Sequence, residues 1–417
     1  MHLATAIGIA LIGHWTGMAQ GPAGPWHLHM VITRDSAGWH TSVDFPDINS
    51  YERAFTTTVS DSDVHLERAQ GGRAPIQFNG TVVGDTLRGT VVAFGHEAPF
   101  VLRRTAPTPL GYREEPIAFH NGDVTLAGAL LLPTTPGRHR ALICVHGGGP
   151  SSRSDYRDKA IYLARRGTAV LIYDKRGVGA STGDWTIASP TDLAMDALAG
   201  IRLLRARADV DTTRVGIDGF SQGGWIAPLA ATMSPDIAFV IVGSAAGLTP
   251  ADQSVYDVAH ALAAAGFDSN VVAQATTLRR RLYVSSTDSL ARVALAVALD
   301  SVHTAPWFET SALPYPLSVA LPPRGVVELL RLEPEPIWQH VAVPVLAYWG
   351  AHDQHLPPFE SMAVVRRGLT SAHNSRLTVH IYPDADHTML RVPAAAPWDF
   401  PRGVPYFQLI ADWLDKR

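Results

Sequence analysis

Two hydrophobic rhythms divide this chain. From Gly13 to about Arg104, apolar and polar residues alternate with a period of two in the runs LHMVITR, WHTSVDF, TVVGDTLRGTVVAF and FVLRR, and Gly84-Asp85 turns the third run back on itself. A period of two sends successive side chains to opposite faces of a strand, so these runs predict half-buried antiparallel strands. Helical spacing is missing from this part. A small antiparallel sheet has edges to hide, and closing it hides them, so the expectation is a barrel-like β domain over residues 1–104. The segment TAPTPLGYR, 105–113, suits neither helix nor strand and reads as a linker.

From residue 114 the rhythm changes. VTLAGALLL, ALICVHGG and TAVLIYD are near-continuous apolar runs of buried-strand length, and YRDKAIYLARRG between the last two is an amphipathic helix ending at Gly167. The alternation continues through helix TDLAMDALAGIRLLRAR, strand RVGIDGF, helix GGWIAPLAATM and strand IAFVIVGSA. It resumes with PVLAYWG, FESMAVVRRGL, LTVHIYPD and a last helix, YFQLIADWLDK. Strands alternating with helices predict an α/β fold, a doubly wound and mainly parallel sheet with helices on both faces. The interval of about 248–340 holds helix-like stretches and the Pro- and aromatic-rich TAPWFETSALPYPLSVALPP. It is too long for a simple connection, so an inserted helical cap is expected there.

Composition changes this picture little. An apolar fraction of 46% and a charged fraction of 17% describe a globular chain with ample core. The formal charge of −4 comes without a long run of Lys or Arg, so neither nucleic acid nor an anionic membrane is an expected partner, and a small molecule is. No run is long enough for a transmembrane segment. Cys144 is the one cysteine, which excludes an intrachain disulfide and a thiolate zinc site; set in an apolar strand, it reads as a small core residue. LATAIGIALI, 3–12, has the apolar character of a secretory signal, yet the first basic residue is Arg34. It is either a signal remnant or the first strand, so exported and cytoplasmic locations both stay open, as does the oligomeric state.

The chemistry centres on a G-x-S-x-G signature that occurs twice, at Gly219–Gly223 around Ser221 and at Gly179–Gly183 around Ser181. Context separates them. Ser221 stands where strand RVGIDGF passes directly into helix GGWIAPLAATM, a bend that lifts the hydroxyl above the sheet and has no room for a Cβ on either side. Ser181 follows its strand only after a loop. A serine hydroxyl needs a base and an oriented carboxylate to become a nucleophile. His387, in IYPDADHTML, and Asp353, in AYWGAHDQHLPP, follow the last two strands, at the edge where parallel sheets collect ligand sites. Asp384 and Asp386 lie near His387 and read as turn residues. For the oxyanion, His146-Gly147-Gly148-Gly149-Pro150 offers backbone N–H groups, Gly148 first among them, and Gln222 offers another at a helix N-terminus. His146 reads as a holder of that loop.

On these residues the chain from about 115 to 417 resembles the α/β-hydrolases, whose nucleophile elbow, glycine-rich oxyanion loop and order Ser221, Asp353, His387 it shares. YDKRGVGAST resembles that family's loop after the fourth strand, which makes Ser181 structural. The β domain in front, with GHWTG and LRGTVV, gives a layout similar to that of two-domain bacterial esterases. The resemblance implies a carboxylesterase-type serine hydrolase acting through an acyl-enzyme on esters of short to medium acyl chain, without cofactor or metal. A serine peptidase or amidase of the same fold is the alternative, and a non-catalytic binding protein a remote one. His352 with His355, and His27 with His29, are weighed as metal ligands and set aside. Trp307 and Phe308, with Tyr315 and Trp338, are read either as lining of a substrate cleft or as cap core.

Overall fold

Eight strands of the N-terminal part pair each with the next: β1 (Gly13–Gly21), β2 (Gly24–Asp35), β3 (Gly38–Phe45), β4 (Ser50–Ser60), β5 (Asp63–Gln70), β6 (Arg73–Val83), β7 (Thr86–Ala93) and β8 (His96–Thr105). The computed structural model describes residues 11–21, 24–70, 73–93, 95–392 and 402–417. All the pairings are antiparallel, and β1 pairs with both β2 and β8, so the sheet closes into a barrel. The period-two pattern sets which side chains fill it. Along β8, Ala98, Phe100 and Leu102 are buried while Pro99, Val101 and Arg103 face outward. Phe78 contacts Phe100 and Phe55 edge-to-face inside, at 5.4 and 5.6 Å between ring centres. Strands β4 and β5 were not expected from the sequence; their Thr, Glu and Arg content masks an inward row reduced to Phe55, Val64 and Leu66. The signal-like residues 3–10 lie outside the described residues, and the first described strand starts at Gly13.

The second unit is built on a sheet of β9 (Tyr112–Asn121), β10 (Val124–Pro133), β11 (His139–Val145), β12 (Thr168–Tyr173), β13 (Val210–Phe220), β14 (Val240–Gly243), β15 (Val345–Gly350) and β16 (Leu377–Tyr382). Among the described residues their order is β16-β15-β14-β13-β11-β12-β10-β9, antiparallel at β9/β10 and β10/β12 and parallel elsewhere. Helices α1 (Arg157–Ala164), α2 (Pro190–Arg205) and α3 (Gly223–Met233) connect the early parallel strands. Side chains at its first turn fix the start of α2. Ser189 Oγ accepts the N–H of Asp192, the Asp192 carboxylate accepts the N–H of Ser189, and Pro190 occupies the first turn.

Between β14 and β15 the chain leaves the sheet through α4 (Pro250–Ala264), α5 (Ser269–Val284), α6 (Ser289–Asp300), α7 (Arg324–Leu330) and α8 (Pro334–Trp338). The side chains of Thr249, Asp268 and Asp288 cap α4, α5 and α6 at their N-termini. α4 to α6 bury a core of their own around Val258, Leu262, Leu278, Leu295 and Leu299. α9 (Pro358–Ser371) then connects β15 to β16, and α10 (Tyr406–Asp415) ends the chain.

The compact units are Met1–Gly111 with Leu390–Leu409, and Tyr112–Met389 with Ile410–Arg417. They differ from the boundaries read in the sequence at two places. The expected linker 105–113 runs into β9, which begins at Tyr112 and carries Pro116; as the last strand of the sheet β9 tolerates a residue without an N–H. Residues 390–409, expected with the hydrolase part, group with the barrel, where the Asn49 side-chain amide donates to the Val404 carbonyl at 3.0 Å.

Candidate active site

Two residues, Ser221 and Gln222, separate β13 from α3, so the chain must reverse within them. Ser221 does so in the left-handed region, at φ +54°, a conformation that side chains normally resist. The bend is tight enough that a Cβ on Gly219 would lie 2.0 Å from the Gly223 carbonyl oxygen, and one on Gly223 2.6 Å from that of Val145. Both glycines of the signature are steric necessities. The Ser221 N–H donates to the Gly243 carbonyl at 2.9 Å, and the Gly224 N–H to the Ser221 carbonyl at 2.8 Å, which fixes the turn. A strained backbone of this kind persists only where its surroundings over-determine it.

His387 and Asp353 converge on this serine. Nε2 of His387 lies 3.0 Å from Ser221 Oγ, and its Nδ1 lies 2.7 Å from Asp353 Oδ2. The other oxygen of Asp353 accepts the N–H groups of His355, at 2.9 Å, and Leu356, at 3.2 Å, so the buried carboxylate cannot turn. An ionised carboxylate only accepts, which puts the imidazole proton on Nδ1 and leaves the Nε2 lone pair for the serine hydroxyl. Ser244, after β14, donates its hydroxyl to the His387 carbonyl at 2.8 Å and fixes that backbone. Sequence reading missed Ser244, because a lone serine after a strand carries no signal of its partner.

The Ser181 motif is spent on structure. Its buried hydroxyl donates to the Asp174 carbonyl at 2.7 Å and accepts the Ala127 N–H at 2.9 Å, tying the loop after β12 to β10. Asp386 accepts both the N–H and the hydroxyl of Thr388, a local turn.

In the glycine-rich loop after β11, the Gly147 N–H donates to the Tyr156 hydroxyl at 2.8 Å. Among the described residues, no atom outside its two chain neighbours lies within 4 Å of where a Gly148 Cβ would stand, so that stretch of backbone is open. Gln222 is the residue at which α3 begins. His146 is buried, and Nε2 lies 2.6 Å from the Tyr173 carbonyl, which requires a proton on that nitrogen. Burial depresses its pKa to about 4, so it stays neutral and anchors the loop. The Cys144 thiol is also buried, and burial pushes it up to about 12, an inert core residue.

A polar contact joins the cap to the site. His355 packs edge-on against His387, with ring centres 4.9 Å apart, and its Nδ1 lies 2.8 Å from Asp257 on α4. Trp307 and Phe308, weighed as substrate contacts, are buried among Val258, Leu262 and Leu299 in the core of the cap. Trp338 is buried in the sheet's own core, while Tyr315 is exposed and stacks on His303. His27 pairs with Asp47 on the barrel surface.

Ser221, Asp353 and His387 thus stand at the C-terminal ends of β13, β15 and β16, on a mainly parallel sheet with helical crossovers, and residues 137–310 match the family model described as serine aminopeptidase, S33. The larger unit has the α/β-hydrolase fold. Over 167 residues the chain is 29% identical to the esterase EstD of Thermotoga maritima, a match covering 38% of this chain and 40% of the relative. It is 32% identical over 114 residues to an uncharacterized protein of Mycobacterium tuberculosis, covering 27% and 40%. The matches therefore span about 40% of the length of these curated relatives. Among solved structures it is similar to an esterase of Pyrococcus furiosus, at 17% identity and a TM-score of 0.46 over 75% of this chain and 94% of that one. It is also similar to Est1E of Butyrivibrio proteoclasticus with ferulic acid bound, at 18% and 0.45 over 72% and 96%.

Proposed function

We propose that this chain is a serine hydrolase that cleaves carboxylic esters of short to medium acyl chain through an acyl-enzyme intermediate. The observation that carries the reading is the continuous hydrogen-bonded line from Asp353 through His387 to Ser221, on a serine held at φ +54°. Nε2 of His387 takes the hydroxyl proton as Ser221 Oγ attacks the ester carbonyl. Asp353 holds the imidazole's tautomer and offsets the charge the ring gains. The N–H groups of Gly148 and Gln222 receive the oxyanion, and collapse of the tetrahedral adduct expels the alcohol, protonated by His387. Water, deprotonated by the same imidazole, then releases the acid and regenerates Ser221. Each of these steps uses this chain's own residues and water.

Esterase is preferred over amidase on the likeness to EstD. The second reading, a serine peptidase or amidase, is favoured by the description of the matching family model. Nitrophenyl esters of increasing chain length, run beside aminoacyl anilides, separate the two. Butyrate-range esters should turn over fastest, and faster anilide cleavage would move the protein to the peptidase reading.

A further inference from the structure

Lys175, in the loop after β12, is 2% exposed and its charge needs an account. An ammonium has three hydrogens, and three acceptors surround this one: the carbonyl of Gly147 at 2.9 Å, the carbonyl of Gly149 at 3.1 Å and Oε1 of Gln222 at 2.7 Å. All three belong to the two elements that flank Ser221, the glycine-rich loop and the start of α3. Among the described residues no carboxylate pairs with it. The nearby acids are committed elsewhere, Asp174 to the guanidinium of Arg153 and Asp155 to the hydroxyl of Ser151 and the N–H of Ser152. Arg176 is held by Asp196, His146 is neutral, and the ring of Trp185 lies 5.3 Å away.

The peptide joining Gly147 to Gly148 gives these contacts a consequence. It is trans and planar, so its C=O and its N–H point in opposite directions. An ammonium that draws the Gly147 carbonyl toward itself therefore aims the Gly148 N–H the other way. A charged donor on the carbonyl also polarises the peptide and strengthens that N–H as a donor.

We propose that Lys175 is the positioning residue of the oxyanion site, clamping the Gly147-Gly148 peptide and Gln222 together so that their N–H groups face the oxyanion formed at Ser221. The inference rests on the serine-hydrolase reading. It places an uncompensated positive charge behind the donors, where it favours an adduct bearing negative charge over a neutral bound ester. Burial draws the ammonium's pKa down to about 8, so the clamp loses its charge as pH rises through that value.

The test compares Lys175→Met and Lys175→Gln with the parent protein on nitrophenyl butyrate from pH 6 to 10, with thermal midpoints as a fold control and Ser221→Ala alongside. Lys175→Met should lower kcat by about 10²-fold, the effect of losing an oxyanion donor, with KM changed less than about threefold. It should weaken inhibition by a trifluoromethyl ketone, which mimics the adduct, by a similar factor. Lys175→Gln keeps a neutral donor and should be intermediate in kcat. The parent's activity should fall as pH rises through about 8, and that limb should vanish in both variants. A variant that keeps the limb, or a folded Lys175→Met with parental kcat, overturns the inference. If Lys175→Met does not fold, the Lys175→Gln profile decides. A dead Ser221→Ala beside an unimpaired Lys175 variant sinks this inference alone, whereas an active Ser221→Ala sinks the hydrolase reading with it.

Discussion

Nε2 of His387 stands 3.0 Å from Oγ of Ser221, although 165 residues separate them in the chain. The contact joins the ends of two strands that do not neighbour each other in the sheet, β13 and β16, and the buried carboxylate of Asp353 fixes it from behind. Ser221→Ala should therefore abolish ester hydrolysis while leaving the thermal midpoint near that of the parent. Ser181→Ala should do the reverse: it retains most activity and loses roughly 1–3 kcal/mol of stability, because the Ala127 N–H and the Asp174 carbonyl lose their partner. Labelling by an organophosphonate, located by peptide mass, checks both. A label on Ser181 would reverse the choice of nucleophile.

Asp353→Asn should keep the fold and lower kcat by roughly 10⁴-fold, the cost of presenting the wrong imidazole tautomer in a serine triad. Asp386→Asn should cost little activity, since that carboxylate serves Thr388. Steady-state kinetics on one nitrophenyl ester decides it, and near-parental turnover by Asp353→Asn would take the acid role away from Asp353.

His146 makes acid stability a local property of the oxyanion loop. Its pKa is about 4 in the folded protein against an ordinary 6.5, so between those values the unfolded chain binds a proton that the folded site refuses. Stability should fall as pH drops from about 6.5 to about 4, by roughly 3 kcal/mol from this residue, and its contribution should level off below. His146→Gln can still donate to the Tyr173 carbonyl but cannot titrate there. Urea midpoints measured across this range should be flatter for the variant; an unchanged pH slope would mean that the imidazole is not the group responsible.

The cap should limit acyl length. Prolines at 306, 314, 316, 322 and 323 restrict the backbone between α6 and α7, and the Asp257–His355 pair ties α4 to the loop that carries Asp353. kcat/KM over an ester series should peak at short to medium acyl chains, with little gain from emulsified substrate. A large jump on emulsified long-chain triglyceride would reveal a lid that opens at interfaces.

Short-range periodicity and sterics are legible along the chain without its fold. Alternation in FVLRR and continuous apolar runs such as ALICV set strand type, and Gly219 and Gly223 announce a turn that admits no Cβ. The same logic nominated Ser221, Asp353 and His387, because each follows a strand of a parallel sheet. Tertiary structure decided what depends on a partner distant in the chain. β4 and β5 are strands because the barrel supplies neighbours to a sparse apolar row, and residues 390–409 group with a unit that begins nearly 400 positions earlier. Trp307 and Phe308 fill the cap core because α4, α5 and α6 close around them, and nothing in their own window distinguishes that from a ligand wall. Ser244 and Lys175 are the sharpest cases. A hydroxyl or an ammonium takes its role from the acceptors it reaches, and those acceptors, the His387 carbonyl and the Gly147 carbonyl, are brought within reach only by the folded sheet.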